Sequence, residues 1–296
     1  MGKSLGKVAT MMCSVFFLVR MKLLKLLSIG FVFSTFSISS FSQSQTERAG
    51  IVDQFDYPDS KNACGPASIL NLLKFSREEH FTIYHSLKGE DDTARMKYLI
   101  ERYFRSRNST VEPKWNRWGV HGIFVEDLAT GLNELLVEYE KPKLKSENLD
   151  RIASETEGEH MRRIHEKISL SIDRGVKPII SLRSFVVRTR GSETPRWEPG
   201  IHHTLVVGEI DKAPGELGFH LLGLDSAGGE EVALFIHRDG GRLPFAALRG
   251  AESGSEWLKG FPFLQVMAPE VPSLRPRNLK WADRYLVTAN LLIGDF

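Results

Sequence analysis

The sequence predicts an α+β fold, because helical periodicity dominates its first half and strand-like runs dominate its second half. In the first half, apolar residues recur every three or four positions, as on one face of a helix. After Gly175, runs rich in β-branched and aromatic residues alternate with glycine-rich or polar turns. We therefore expect a helical half packed on an antiparallel sheet, with the active cleft between the two halves.

Four helices are predicted before the strands. The first begins at or just after Cys64, has Pro66 in its first turn and carries a buried apolar stripe in residues 69–75. The fourth ends at Gly175, a residue type that often follows a helix C-terminus. The second, third and fourth helices are predicted at residues 93–105, 123–139 and 155–174.

Five strand-like runs follow the last predicted helix. They are residues 176–182, 185–187, 203–210, 219–224 and 232–236. Beyond Gly260 the chain contains two more short apolar runs, residues 263–267 and 285–287. Their pattern does not distinguish a helix from a strand.

Residues 1–42 have the features of a secretory signal peptide. A short basic region begins at Met21, an apolar stretch follows it, and Ser40-Phe41-Ser42 forms a small-x-small cleavage site. Met21 is a better candidate than Met1 for the first translated residue, so we expect residues 1–20 to be an over-extended start. The alternative is that the two apolar runs of residues 1–42 form a hydrophobic hairpin anchor. Cleavage after the site would leave Gln43 as the first mature residue.

The mature chain, residues 43–296, is long enough for one domain with a sizeable core. Removing the signal peptide lowers the basic residues from 39 to 34 against 37 acidic ones, and the formal charge from +2 to −3. This balance lacks the basic excess of proteins that bind nucleic acids or anionic membrane surfaces. We expect a secreted or periplasmic protein without a nucleic-acid partner or a membrane span after cleavage. The sequence does not indicate the oligomeric state.

Cys64 is the strongest candidate for a catalytic group. The other cysteine, Cys13, lies in the predicted signal peptide, so the mature chain keeps a lone thiol. Exported proteins normally use cysteines in disulfide-bonded pairs. A helix N-terminus and a neighbouring histidine both favour the nucleophilic thiolate. The alternative role for Cys64 is that of a small buried hydrophobic residue.

A histidine pair and an aspartate follow Cys64 in the chain order of thiol hydrolases. His202 and His203 head a strand-like run about 140 residues after Cys64, and Asp225 follows the next one. Alternate strand residues face opposite ways, so only one of the two histidines is expected to point at the thiol. Asp225 would orient that imidazole through its other ring nitrogen. Its alternative role is that of an ordinary turn residue.

Cys64-Gly65-Pro66-Ala67-Ser68 resembles the nucleophile segment of double-glycine leader peptidases, a branch of the papain-like cysteine peptidases. The likeness departs from the family at Ser226, where the family usually has proline. It implies a papain-like fold, in which an N-terminal helical half carrying the cysteine helix packs on a C-terminal antiparallel β-sheet half. The other similar segments, within a likeness over about residues 54–229, are residues 177–182, 202–208 and 224–228.

The resemblance also implies roles for particular residues. A glutamine upstream of the nucleophile is expected to donate to the oxyanion, and Gln54 is the only one between the polar segment of residues 43–48, at the end of the signal peptide, and Cys64. Its alternative role is that of a surface residue. The backbone N–H of Cys64 would be the second donor. In the family the histidine precedes a glycine by six positions, which favours His202, six before Gly208, over His203.

These residues predict an exported cysteine peptidase-like hydrolase that cleaves a peptide or amide bond of a peptide or protein substrate. The chemistry requires no metal or cofactor. One alternative is acyl transfer, because transglutaminase-like proteins share the Cys-His-Asp order. A second is a catalytically inactive papain-like module of the cell envelope that binds peptides. A third is a structural or host-interaction protein in which the thiol is incidental.

Overall fold

The computed structural model describes residues 50–58, 60–119, 122–152, 154–188, 196–238, 264–275 and 284–296. These residues all belong to one unit, Arg48–Phe296. The predicted signal peptide lies outside the described residues. Among the helices within the described ranges, none combines the length and the apolar character needed to cross a bilayer.

Helix α1, Cys64–Phe75, is the helix that the apolar stripe and Pro66 predict, and it begins at Cys64 itself. Every residue from Gly65 to Lys74 is buried. A helix covered on all sides in this way lies in the middle of the protein rather than on its surface. α1 is therefore an interior helix of the fold.

The other three predicted helices are confirmed, and one further helix was not predicted. Residues 93–105 form an α-helix that continues as a π-helix, Ile100–Arg105. The last helix begins with a capping box, in which the side chains of Thr156 and Glu159 bind each other's backbone N–H. The unpredicted helix is α2, whose buried residues include His80 and Tyr84 and give no plain apolar stripe. The bounds are α2 Glu78–Ser86, α3 Asp92–Leu99, α4 Val125–Glu138 and α5 Glu157–Asp173.

Seven strands lie within the described ranges. Residues 179–182 of the first predicted run and residues 185–187 of the second belong to one strand, and residues 264–267 and 285–287 of the unassigned tail lie in strands. The short first strand was not predicted. The bounds are β1 Lys145–Asn148, β2 Ile179–Arg188, β3 Arg196–Ile210, β4 Gly218–Asp225, β5 Glu230–His237, β6 Leu264–Met267 and β7 Arg284–Gly294.

The strands close into a barrel. Neighbouring strands are antiparallel in the order β1-β7-β2-β3-β4-β5-β6, and β6 also pairs with β7. The six strands from β2 to β7 therefore form a closed ring, while β1 pairs with the last part of β7. The expected papain-like fold, a helical half packed on an antiparallel β-sheet half, is wrong. The expectation failed because the tail, which the sequence pattern left unassigned, forms the strand that joins the two ends of the sheet.

Two apolar clusters show how the helices meet the barrel. The first cluster joins α1–α4 to one face of the strands, which includes Ile179 and Val206. The second joins the opposite face, which includes Ile180 and Leu205, to α5. Because strand side chains alternate between faces and the sheet is closed, the second face is the barrel interior. The barrel is therefore filled with side chains, and α1 packs against its outside.

A charge placed in the barrel interior tests the closure by β7. Val287 is 3% exposed and lies opposite Val266 of β6, whereas Tyr285 on the same strand is 40% exposed. We expect Val287→Asp to lower the free energy of unfolding by more than about 3 kcal/mol or to prevent folding, since it buries a carboxylate. Tyr285→Asp should cost less than about 1 kcal/mol. Urea unfolding measures both, and a small effect of Val287→Asp would contradict the closure.

Candidate active site

Cys64 is the first residue of α1, and its side chain is half-buried. Backbone N–H groups in the first turn of a helix have no partner within that helix, and they mark the positive end of the helix dipole. Gly65 lies so close to the loop before α4 that a Cβ there would be 2.8 Å from Cγ2 of Ile123. This close approach explains the glycine directly after the cysteine.

His203 and Asp225 form a buried pair at one end of the barrel. Nε2 of His203 lies 2.6 Å from Oδ1 of Asp225, and the two residues are 2% and 1% exposed. The same Oδ1 accepts a hydrogen bond from the N–H of Ala227 at 2.8 Å. β4 ends at Asp225, while β3 continues past that end. The pair therefore lies at the rim of the barrel.

His203 is also the first of the groups that lower the pKa of the Cys64 thiol. Because Nε2 is bound to Asp225, Nδ1 is the ring nitrogen that remains for the sulfur. Burial opposes the charge on His203, but the hydrogen bonds to Asp225 and Cys64 raise its pKa to about 10. Burial also raises the pKa of Cys64, yet His203 and Thr204 outweigh burial and bring it below the ordinary value. Both shifts favour a thiolate–imidazolium pair.

His202 has a different environment. Its Nε2 lies 2.7 Å from Oγ of Ser181 on the neighbouring strand β2. Burial, followed by the charges of Arg183 and His203, lowers the pKa of His202 to about 4. A neutral imidazole bound to a serine does not activate a thiol. The geometry therefore favours His203 as the partner of Cys64, whereas the sequence analysis favoured His202.

A bulge in β3 explains why the count from Gly208 selects the other histidine. Val207 and Glu209 pair with consecutive residues of β4, so Gly208 between them is an extra residue. The count of six positions back from Gly208 therefore includes one residue too many, and it reaches His202. A shift of one position moves the count to His203, whose side chain points to the opposite face of the strand.

Gln54 lies beside the turn that follows Asp225. It begins a short 3₁₀ helix, Gln54–Asp56, and is 5% exposed. The backbone N–H of Gln54 donates to the carbonyl O of Ser226 at 2.7 Å, and its Oε1 accepts from Oγ of Ser226 at 3.2 Å. The glutamine is thus fixed to the residue next to Asp225, at the same end of the barrel as the Cys64–His203 pair.

Asn71 attaches the segment of Gln54 to α1, and the sequence pattern did not single it out. Its fully buried side chain accepts from the N–H of Val52 at 2.7 Å and donates to the carbonyl O of Val52 at 3.3 Å. A polar residue inside an apolar helix stripe is the sequence feature that could have identified it. The segment of Gln54 is therefore held between the cysteine helix and the turn after Asp225.

Two further polar residues, also missed in the sequence, approach the nucleophile. Thr204 is one of the residues that lower the pKa of Cys64. Oγ of Ser68 donates to the carbonyl O of Thr204 at 3.0 Å and lies 3.2 Å from its Oγ1. Ser68 follows Cys64 by four positions, a spacing that places both on one side of α1. That spacing is the sequence feature that could have identified Ser68.

Comparisons of the chain with protein-family models, curated proteins and solved structures gave no match. Among the residues that the structure describes, no group of three or more histidine, cysteine, aspartate or glutamate side chains is arranged to hold a metal ion. The chemistry of the site is therefore inferred from its own groups: a thiol, an imidazole, a carboxylate and several hydrogen-bond donors.

The pH dependence of Cys64 alkylation tests the thiolate–imidazolium pair. In a full-length Cys13→Ser protein, Cys64 is the single thiol. We expect rapid reaction with iodoacetamide well below pH 8, because His203 stays protonated up to about pH 10 and stabilises the thiolate. His203→Ala removes that charge, so its labelling profile should shift upward to at least the pH range of an ordinary thiol, about 8.5.

His202→Ala is the matched control for this measurement, because it removes a neighbouring imidazole that is bound to Ser181 instead of Cys64. Its labelling profile should overlay that of the parent protein. A shift with His202→Ala and none with His203→Ala would assign the partner of Cys64 to the other histidine.

A second test compares two asparagines that bind a backbone in the same way. Asn133 binds both the N–H and the carbonyl O of Leu144, far from the site, as Asn71 does with Val52. Each alanine variant should lower the free energy of unfolding by about 2–4 kcal/mol, since two backbone groups lose their partner. Only Asn71→Ala should accelerate hydrogen exchange at the Val52 N–H. Equal exchange in the two variants would show that Asn71 does not hold the Gln54 segment.

Proposed function

We propose that the protein is a cysteine-dependent hydrolase of peptide or amide bonds, with Cys64 as nucleophile, His203 as acid–base and Asp225 as the group that orients His203. The observation that carries the proposal is the series Asp225–His203–Cys64 at the start of a helix, in which Asp225 binds the imidazole of His203 and His203 lowers the pKa of the Cys64 thiol. Such a series, with the nucleophile next to a base and the base held by a third group, is typical of covalent acyl-transfer catalysis.

In the first step the thiolate of Cys64 attacks the carbonyl carbon of the scissile bond, and a C–S bond forms. The carbonyl π electrons move to the oxygen, which becomes an oxyanion. His203, protonated at the start, gives its proton to the leaving nitrogen, and the C–N bond breaks. The products of this step are the free amine and a thioester on Cys64.

In the second step a water molecule attacks the thioester carbonyl, and the now neutral His203 accepts a proton from it. The C–S bond breaks with its electron pair on the sulfur, which restores the thiolate and the imidazolium. The acid half of the substrate then leaves. Asp225, bound to Nε2, keeps His203 in the orientation with Nδ1 towards the sulfur.

Two groups are proposed to stabilise the oxyanion. The N–H of Cys64 lies in the first turn of α1, where backbone donors have no partner within the helix. The second is the carboxamide of Gln54, whose Oε1 accepts from Ser226 and whose Nε2 is therefore the group oriented away from that serine. The position of Gln54 beside the turn after Asp225 supports this role.

A peptide is the proposed substrate class. The reason is the resemblance of residues 64–68 and 202–208 to segments of double-glycine leader peptidases, a resemblance of motifs without the fold that it implied. We also propose that the protein is exported and that residues 1–42 are its signal peptide. In that setting the substrate would be a peptide of the cell envelope or the surroundings.

Hydrolysis of a fluorescence-quenched peptide library tests the proposal. Cys64→Ala should lower kcat/KM by more than about 1000-fold, because it removes the nucleophile. His203→Ala should be impaired to a similar degree, since residues of one catalytic unit give similar losses. His202→Ala is the control and should retain most of the parent activity. Unchanged hydrolysis in Cys64→Ala would refute the proposal.

The products distinguish the proposal from its alternatives. With a primary amine added in excess, free acid as the main product supports hydrolysis, whereas the amide of the added amine would show acyl transfer. Saturable peptide binding without turnover, together with a slowly reacting Cys64, would show a peptide-binding protein and contradict the enzymatic role.

A further inference from the structure

The turn after Asp225 holds both the carboxylate that orients His203 and the proposed oxyanion donor. Oδ1 of Asp225 accepts from the N–H of Ala227 at 2.8 Å, which fixes the carboxylate within the turn. The next residue, Ser226, is fully buried and binds Gln54 twice. Its carbonyl O accepts from the N–H of Gln54 at 2.7 Å, and its hydroxyl donates to Oε1 of the same residue at 3.2 Å.

Asp53 adds a third connection between the same two segments. Its Oδ1 accepts from the N–H of Phe55 at 2.9 Å and from the N–H of Gly228 at 3.1 Å. The backbone around Gln54 is therefore fixed to the turn independently of the Ser226 hydroxyl. Loss of that hydroxyl would release the carboxamide of Gln54 and leave its backbone in place.

The hydroxyl of Ser226 acts on the orientation of the Gln54 carboxamide. A carboxamide oxygen only accepts hydrogen bonds, and the NH₂ group only donates them. The oxygen and the nitrogen lie on opposite sides of the planar group, so Nε2 points away from the serine that Oε1 faces. The reverse orientation would place Oε1, which carries a partial negative charge, on the side where Nε2 now lies.

We infer that Ser226 is a positioning residue of the oxyanion site, whose hydroxyl holds the carboxamide of Gln54 with Nε2 as the donor. The inference rests on the proposed function and deepens it. Its physical basis is that a donor oriented before the reaction stabilises the oxyanion without a cost of reorganisation.

Two small reagents separate the oxyanion from the thiolate. With p-nitrophenyl acetate, the thiolate of Cys64 attacks the ester carbonyl carbon, whose oxygen becomes an oxyanion. The C–O bond then breaks and p-nitrophenolate leaves. With iodoacetamide, a C–S bond forms as the C–I bond breaks, and no oxyanion forms. Both reactions consume the thiolate, so the ratio of acylation rate to alkylation rate at one pH reports oxyanion stabilisation alone.

The ratio is measured in the full-length Cys13→Ser protein, after subtraction of the acylation that remains in Cys64→Ala. Gln54→Ala should lower it by more than about tenfold, because an oxyanion donor is removed. Ser226→Ala should lower it by about fivefold, the effect of one neutral hydrogen bond. The double variant should equal Gln54→Ala alone, because the hydroxyl of Ser226 acts only through the carboxamide.

Ser171→Ala is the matched control. Ser171, in α5, is also fully buried, and its hydroxyl donates to the carbonyl O of Val176 at 2.8 Å. Its ratio should equal that of the parent protein, although it too loses a buried hydrogen bond. If Ser226→Ala does not fold, as judged by circular dichroism, Ser226→Thr and Ser226→Val decide instead. These two variants have the same shape, and the ratio should fall only in the one without a hydroxyl.

Three results would overturn the inference: a Ser226→Ala ratio equal to that of the parent, an equal fall in Ser171→Ala, or a further fall in the double variant. An unchanged ratio in Gln54→Ala would overturn it together with the oxyanion role of Gln54.

Neither reagent requires peptide turnover, so the two proposals fail separately. A lowered Ser226→Ala ratio in a protein that hydrolyses no peptide supports the role of Ser226 and overturns the proposed hydrolysis. An unchanged ratio in a protein that does hydrolyse peptides leaves the hydrolase standing and overturns the role of Ser226.

Discussion

The pairing of β7 with two sets of neighbours is the constraint on which the site depends. β7 pairs with β2 along one edge, and with β6 and then β1 along the other. Without it, β2 and β6 would be free edges with unpaired backbone groups, and the sheet could twist and slip. Closure places every barrel strand between two neighbours, which fixes the register of β3 against β4. That register brings His203 within hydrogen-bond distance of Asp225 at the rim.

The ionisable groups at the rim depend on one another. The imidazole of His203 lies between the carboxylate of Asp225 and the thiol of Cys64, and the start of α1 places a partial positive charge beside the sulfur. Burying any one of these charges alone would cost several kcal/mol, whereas the series offsets most of that cost internally. The pKa of His203 therefore rises because of its two neighbours, although burial alone would lower it.

The sequence predicted the helices better than the sheet, for physical reasons that can be traced to particular residues. The 3.6-residue period of apolar residues in a helix can be recognised even where the helix ends are irregular, so α1, α4 and α5 were predicted from the sequence. β7 was left unassigned because its apolar run, residues 285–287, is too short to distinguish a helix from a strand, and a bulge after Ala289 interrupts the alternation beyond it. The bulge at Gly208 likewise displaced the choice between the two histidines. Irregularities of a single residue cannot be read from alternation, since alternation is what they interrupt.

Residues that carry chemistry were easier to find than residues that hold them. Residue type alone was enough to select Cys64, Asp225 and the histidine pair as candidates, because thiols, imidazoles and carboxylates are the groups that carry most acid–base and nucleophilic chemistry. Asn71, Ser68 and Thr204 are common residue types whose importance comes only from burial and from the backbone that they meet. Their partners lie up to 136 positions away in the chain, as in the Ser68–Thr204 hydrogen bond. Such contacts follow from tertiary structure, so a single sequence does not reveal them.

The rim position also explains how the start of α1 meets the end of the barrel. β3 continues past the end of β4, so the part of β3 that carries His203 and Thr204 lies at the rim. Consecutive residues of a strand point to opposite faces. His203 therefore binds Asp225 on one face, while Thr204 binds Ser68 of α1 on the other. Cys64 is half-buried while His203 and Thr204 are buried, so it is the member of this group that solvent reaches.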